Sequence, residues 1–269
     1  MLNYKFKNLI KKKKIKILII CRSKSKRFPN KIKKKINNLT MIDILILRLL
    51  KVFNSSDIIV CTSVKEKKKF FLKLKKKYKI NIFFGSDKNV LKRIIDTSKK
   101  FNAKNIIRIT GDNPLTDIKT MQKMIEKFSK KNLDYMYTNS LFPGLRSEIF
   151  NLNALIKCLS ICEDPLSSEY LTYFFLRKKI FKIFCFKQQR FNFEKNLSIT
   201  IDKPSDFKML SKIINKKGIF LNKNDLILEL PKKKIIKNNL IPLFTNNYNA
   251  RLKLDSSKLK FLNLKEFGF

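Results

Sequence analysis

Ile17-Leu18-Ile19-Ile20-Cys21 runs directly into Arg22-Ser23-Lys24-Ser25-Lys26-Arg27-Phe28-Pro29-Asn30-Lys31. The first part is short, apolar and rich in β-branched residues, the pattern of a strand buried on both faces of a parallel sheet. The second part is a polar loop of cations and hydroxyls. In open α/β sheets, ligands bind just beyond the carboxyl ends of the strands. Arg22, Arg27 and Lys31 are therefore placed to give forked and point-charge hydrogen bonds to phosphate oxygens. Any loop of this lysine-rich chain would be basic, so cations alone decide little. Arginine decides more: only nine of the 62 basic residues are arginine, and two of the nine lie in this loop. The expectation is a site for polyphosphate at the tip of the first strand.

Strand and helix patterns alternate on either side of that junction. Strands are expected at Ile17–Cys21, Ile58–Cys61, Ile80–Phe84, Ile106–Ile109 and Tyr135–Thr138. Helices are expected at Met41–Phe53, with Thr40 as N-cap, and at Lys65–Tyr78, Asn89–Phe101 and Thr116–Lys131. This rhythm predicts an α/β fold, a mostly parallel central sheet with right-handed crossovers and helices on both faces. Further on, Leu152–Cys162, Ser167–Lys178 and Ser205–Ile214 read as helices, and Phe181–Phe186, Leu197–Ile201 and Leu226–Leu230 as strands. Three regions follow: a loose basic extension over 1–14, the main domain over 15–218, and an appendage over 219–269.

Two other strand exits carry carboxylates. In Ile106-Ile107-Arg108-Ile109-Thr110-Gly111-Asp112-Asn113-Pro114, an aspartate follows the strand, with a glycine giving backbone room. It would face the same crevice as the Arg22 loop, where a divalent cation such as Mg²⁺ could join carboxylate to phosphate. A helix-capping role for Asp112 is the equal alternative. Ile199-Thr200-Ile201-Asp202-Lys203-Pro204-Ser205-Asp206 repeats the pattern, making Asp202 a second candidate ligand. Asp206, in a first helical turn, reads as structural.

Composition narrows the class. The formal charge is +42, from 62 basic and 20 acidic residues. Lysine, asparagine, isoleucine and phenylalanine are abundant while glycine, alanine and arginine are scarce, which points to A/T-biased codons. The lysines are also dispersed, so no specific nucleic-acid partner is expected. The five cysteines, Cys21, Cys61, Cys158, Cys162 and Cys185, are odd in number, and two of them end apolar strand-like runs. Reduced thiols in a cytoplasmic setting are expected. The chain has no histidine, and the Cys158/Cys162 spacing has no second pair, which argues against zinc. No apolar run approaches the ~20 residues needed to cross a bilayer, so no membrane insertion is expected. The basic start followed by Ile15–Cys21 lacks a small-residue cleavage site and does not read as a signal peptide.

Taken together, the blocks resemble the CMP-sugar synthetases, the acylneuraminate and 3-deoxy-manno-octulosonate cytidylyltransferases, and most closely the spore-coat-polysaccharide branch. Arg22, Ser25, Arg27, Pro29 and Lys31 match that family's opening pattern in register. Gly85 to Arg93, Arg108 to Leu115, the stretch Gly144-Leu145 with Glu148, and Thr200, Asp202, Pro204, Asp206 and Phe207 match later blocks. Lys24 stands where that branch often has glycine, Arg146 where it is often acidic, and Ser168-Glu169-Tyr170-Leu171-Thr172 lacks its histidine.

The resemblance implies a three-layer Rossmann-like nucleotidyltransferase fold. It also implies transfer of CMP from CTP to an acidic sugar with release of pyrophosphate, for surface polysaccharide. Arg22, Ser25, Arg27, Lys31 and Gly111 would hold the nucleotide, with Arg22, Lys31 and Asp112 catalytic. Asp112 and Asp202 would hold Mg²⁺, and Arg93, Glu148 and Glu169 would face the sugar. Family members are often homodimers. The alternatives are another sugar nucleotidyltransferase or a glycosyltransferase of the same fold, or a non-catalytic basic binding protein.

Overall fold

The computed structural model describes residues 4–23, 25, 27–161, 175, 180–187 and 198–230. Its centre is β1 (Ile15–Ile20), which pairs in parallel with β4 (Ile58–Ser63) on one side and β6 (Asn105–Thr110) on the other. With β5 (Asn81–Gly85), β7 (Tyr135–Tyr137), β8 (Glu148–Asn151) and β9 (Ile183–Cys185), the sheet has seven strands in the order β5-β4-β1-β6-β8-β7-β9. Only β8 runs against its neighbours, pairing antiparallel with both β6 and β7. A short antiparallel hairpin, β2 (Lys35–Ile36) and β3 (Leu39–Thr40), stands apart from the sheet.

Alternation along the strands divides the core in two. Ile17 and Ile19 face α1 (Tyr4–Lys12), α2 (Met41–Leu50), α3 (Lys68–Tyr78) and α5 (Ile118–Ser129). Leu18 and Ile20 face α4 (Val90–Lys100) and α6 (Leu152–Ser160) on the opposite side. Helices therefore cover both faces, which is why β1 reads as a continuous apolar run. Thr40 caps α2 as expected: its hydroxyl accepts from the Asp43 N–H, and the Asp43 carboxylate accepts from the Thr40 N–H.

Several expectations need correction. Residues 4–12 are not loose. They form α1, whose Phe6 and Ile10, four residues apart, bury against the main core while its lysines face outward. Ile199 and Ile201 are not in the sheet: their N–H groups donate to the carbonyls of Pro143 and Asp112, tying an extended strap across two loops. Leu226–Leu230 is not a strand. Asn222 caps a helix over Lys223–Glu229 (α8), and Leu226 packs with α7 (Pro204–Lys217). Since Leu221, Leu226 and Leu230 join the same cluster as Ile213 and Ile214, packing continues across the expected boundary at 218/219. The helix expected at Ser167–Lys178, apart from Phe175, and residues 231–269 lie outside the described residues.

Candidate active site

The strand order reverses at β1. The chain steps outward through β4 and β5, then returns to place β6 on the other flank of β1. A crevice opens between two strand exits at such a reversal. Here the two exits are the loop after Ile20 and the turn after Thr110.

The first loop is closed on itself. Ser23 accepts at its carbonyl from the Asn30 N–H at 2.9 Å and donates its own N–H to the Glu66 carboxylate at 2.6 Å. Asn30 adopts a left-handed φ of 55°, a conformation asparagine tolerates, and the chain then enters a tight turn at Lys31–Lys33. Ile32 buries on one side of that turn and Lys31 points into the crevice. At the second exit, the Gly111 N–H donates to the Ile20 carbonyl at 2.9 Å. A Cβ at Gly111 would sit 2.6 Å from the Cys21 Cβ, so only glycine lets the two exits approach this closely.

Three charged residues meet there. The Lys31 Nζ lies 2.6 Å from Asp112 Oδ2 and 3.1 Å from Asp202 Oδ1, and donates to the Ile201 carbonyl at 2.8 Å. Arg27 reaches Asp202 from the outside at 3.1 Å, with about two-thirds of its side chain exposed. The strap holding Asp202 is fixed to the second exit by the Ile201 N–H on the Asp112 carbonyl at 3.1 Å. Asp112 Oδ1 is buried and lacks a hydrogen-bond partner. Two carboxylates with one oxygen uncommitted form a hard-oxygen donor set of the kind that suits Mg²⁺. Among the described residues no group of three or more His, Cys, Asp or Glu forms a metal cage.

The structure thus gathers Arg27, Lys31, Gly111, Asp112 and Asp202 from three stretches of the sequence. Arg22 is exposed on the same loop, and Ser25 accepts the Phe28 N–H at 3.4 Å, a contact within the loop. Two expected sugar-side residues stand elsewhere or are occupied. Arg93 is only 2% exposed and donates to the Ser86 carbonyl at 2.7 Å, so it braces the β5 exit and does not present a free cation. Glu148 on β8 is held by Arg108, its register partner on β6, and accepts the Tyr135 hydroxyl at 2.6 Å. Glu169 and Cys162 lie outside the described residues.

Sequence reading missed two features of this edge. Glu66 anchors the first loop but carries no local signal, because its partner Ser23 is 43 residues away. Asp87 accepts the Ser63 hydroxyl at 2.5 Å, joining the β5 and β4 exits. That bond, with Lys65 and Arg22 nearby, holds the Asp87 carboxyl below the usual carboxylate range. Its place two residues after Gly85 follows the same strand-exit rule that singled out Asp112.

Comparison with known proteins identifies the family and agrees with the fold. A cytidylyltransferase family model matches residues 16–235. The chain is 36% identical over 193 residues to the uncharacterized protein MJ1063 of Methanocaldococcus jannaschii, covering 71% of this chain and 79% of that protein. It is 27% identical over 211 residues to the spore coat polysaccharide biosynthesis protein SpsF of Bacillus subtilis, covering 76% and 88% respectively. A solved cytidylyltransferase from Leptospira borgpetersenii superposes with a TM-score of 0.72 at 27% identity, over 80% of this chain and 92% of that one. A CMP:2-keto-3-deoxy-manno-octonic acid synthetase solved with CTP shares the fold, with a TM-score of 0.59 at 15% identity, over 76% and 99%. With the Rossmann-like sheet, the crevice at its strand reversal and a family match over most of its length, the chain belongs to the cytidylyltransferases, the CTP-dependent nucleotidyltransferases.

Proposed function

We propose that this protein transfers CMP from CTP to a hydroxyl of an acidic sugar, as a step towards surface polysaccharide. The observation that carries the reading is the Lys31–Asp112–Asp202 cluster at the mouth of the β1/β6 crevice. The acceptor oxygen attacks the α-phosphorus, the bridge from that phosphorus to the β-phosphate breaks, pyrophosphate leaves and the hydroxyl proton passes to solvent. Such transfers depend on positioning and charge neutralisation more than on acid–base groups, so a chain without histidine can perform them.

Arg22, Arg27 and Lys31 hold the triphosphate and stabilise the charge that builds on the departing pyrophosphate. Asp112 and Asp202 are the residues that would hold Mg²⁺, and the uncommitted Asp112 Oδ1 supports that assignment. When bound, the metal would supply charge neutralisation at the phosphate. Lys31 keeps the two carboxylates together by standing between them. The polysaccharide role draws support from the likeness to SpsF, named for spore coat polysaccharide biosynthesis.

The test is a pyrophosphate-release screen with CTP, UTP, GTP and ATP against acidic and neutral sugars, with and without EDTA. Release with CTP and an acidic sugar, abolished by EDTA, is expected. Turnover that ignores EDTA would remove the metal role, and turnover with neutral sugars alone would remove the acidic acceptor.

A further inference from the structure

Beyond the β6 exit, on the β8-β7-β9 half of the sheet, stands a cation with no counter-ion among the described residues. Arg146 lies in the segment between β7 and β8, and its Nε donates to the Leu141 carbonyl. Among the described residues its guanidinium makes no ion pair and no other hydrogen bond. Arg146 is half-buried, whereas the Nε atoms of Arg93 and Arg108 are sealed and unpartnered.

The nearest carboxylate is already committed. Both oxygens of Glu148 are engaged, one by Arg108 and the other by the Tyr135 hydroxyl. Two guanidinium groups therefore share a neighbourhood with one carboxylate. Burial pushes Arg146 down to about 10, with Tyr135, Cys185 and Glu148 acting in the opposite direction. Burial and Cys185 also push Tyr137 up to about 12, so that phenol stays neutral and supplies no negative charge. Partly desolvated charges in folded proteins are normally paired, and an unpaired guanidinium is a ready fork for a carboxylate.

The position fits the acceptor. Arg108 and Glu148 are the last register partners of the antiparallel β6/β8 ladder, so Arg146, two residues before Glu148, leaves it at the end nearer Asp112, which follows Arg108 by four residues. On the other flank, a Cβ at Gly144 would fall 2.5 Å from Ile199 and 2.7 Å from the Thr200 nitrogen, so this segment lies against the strap that carries Asp202. Arg146 is thus flanked by the segments bearing both carboxylates, on the side away from the β1 loop. With triphosphate on the β1 loop, the acceptor enters from the Arg146 side.

We propose that Arg146 pairs with the carboxylate of the acceptor sugar and sets the preference for acidic acceptors. The inference rests on the acidic-acceptor reading above. It is tested by pyrophosphate release from CTP with 2-keto-3-deoxy-manno-octonic acid and N-acetylneuraminic acid, each beside its uncharged carboxamide. Wild type, Arg146→Gln and Arg146→Lys are compared. The acid-to-amide ratio of kcat/KM is read within each preparation, so partial misfolding cancels. Arg146→Gln is expected to lower that ratio ~10- to 100-fold, through KM for the acid, while KM for CTP changes less than ~3-fold. Arg146→Lys should restore part of the ratio, because lysine keeps the charge and loses the fork.

An unchanged ratio in Arg146→Gln, with wild type preferring the acids, overturns the role of Arg146 and leaves the acidic-acceptor reading standing. A rise in KM for CTP matching that for the acid moves Arg146 to the nucleotide and overturns the inference. Equal use of acids and amides by wild type, or turnover of neither acid, overturns both.

Discussion

The two halves of the sheet's carboxyl edge treat charge differently. On the β5-β4-β1-β6 side, the charges that meet are compensated: Lys31 bridges Asp112 and Asp202, Arg27 adds to Asp202, and Asp87 sits with Ser63 and Lys65. On the β8-β7-β9 side, Arg108 and Tyr135 exhaust Glu148 and leave Arg146 without a carboxylate among the described residues. A compensated cluster can exchange partners when a triphosphate arrives, because each cation trades a carboxylate oxygen for a phosphate oxygen. An uncompensated cation has nothing to trade and gains outright from an anionic ligand. The first arrangement suits a nucleotide that comes and goes with its own counter-ions. The second suits selection of one charged acceptor.

The contrast can be broken most directly at Asp112. Asp112→Asn is expected to lower kcat by ~10²-fold or more, the scale for losing a group that stabilises transition-state charge. Asp202→Asn should follow it, since both carboxylates contact the same Lys31 Nζ. Steady-state pyrophosphate release measures both, and a wild-type rate for Asp112→Asn would dissolve the distinction between the two halves.

Lys31→Ala comes next. It removes the ammonium that holds two carboxylates together and should lower kcat/KM for CTP by ~10- to 100-fold. Far-ultraviolet circular dichroism should remain unchanged, because the Lys31 side chain contributes no core packing. An unfolded Lys31→Ala protein would make the cluster a structural staple instead of a site.

Arg22 sharpens the comparison from the nucleotide side. Arg22→Ala should raise KM for CTP by ~10-fold, and Arg22→Lys should recover only part of that, since a point charge cannot reproduce the fork. Neither substitution should alter the acid-to-amide ratio assigned to Arg146. Equal recovery by lysine would reduce the role of Arg22 to bulk charge.

The smallest effect is expected at Lys12, exposed on α1. Lys12→Ala should leave both turnover and urea stability within the ~0.5 kcal/mol typical of plain surface positions. A loss comparable to that of Arg22→Ala would mean that total positive charge, and not a located loop, attracts the nucleotide.

Much of the first half was legible in the sequence because its signals are local. β1 announces itself through five consecutive apolar residues, and Thr40 and Asn89 mark helix starts by the hydroxyl or amide that caps them. Lys31, Asp112 and Asp202 were recognisable by type and by their place after a strand or strand-like run. The structure added that these runs end together, although the last is a strap and not a strand. Arg93, expected at the sugar from the family resemblance, folds under Gly85 and is sealed, a placement that no local sequence signal carries. β8 escaped notice because Glu148–Asn151 is four residues long and antiparallel, with no turn signal of its own.

The alternation of strands and helices, the cationic loop at the first exit, and the carboxylates available to meet it are all readable from the chain, since each follows from periodicity or side-chain chemistry within a few residues. Only the tertiary structure decided which of these charges neutralise one another. Lys31 meets Asp112 across 81 residues and Ile201 across 170, and among the described residues Arg146 is left unpaired because the β6–β8 register gives Glu148 to Arg108. Pairing depends on distances of a few ångströms between segments far apart in the chain, and strand order and register alone set those distances.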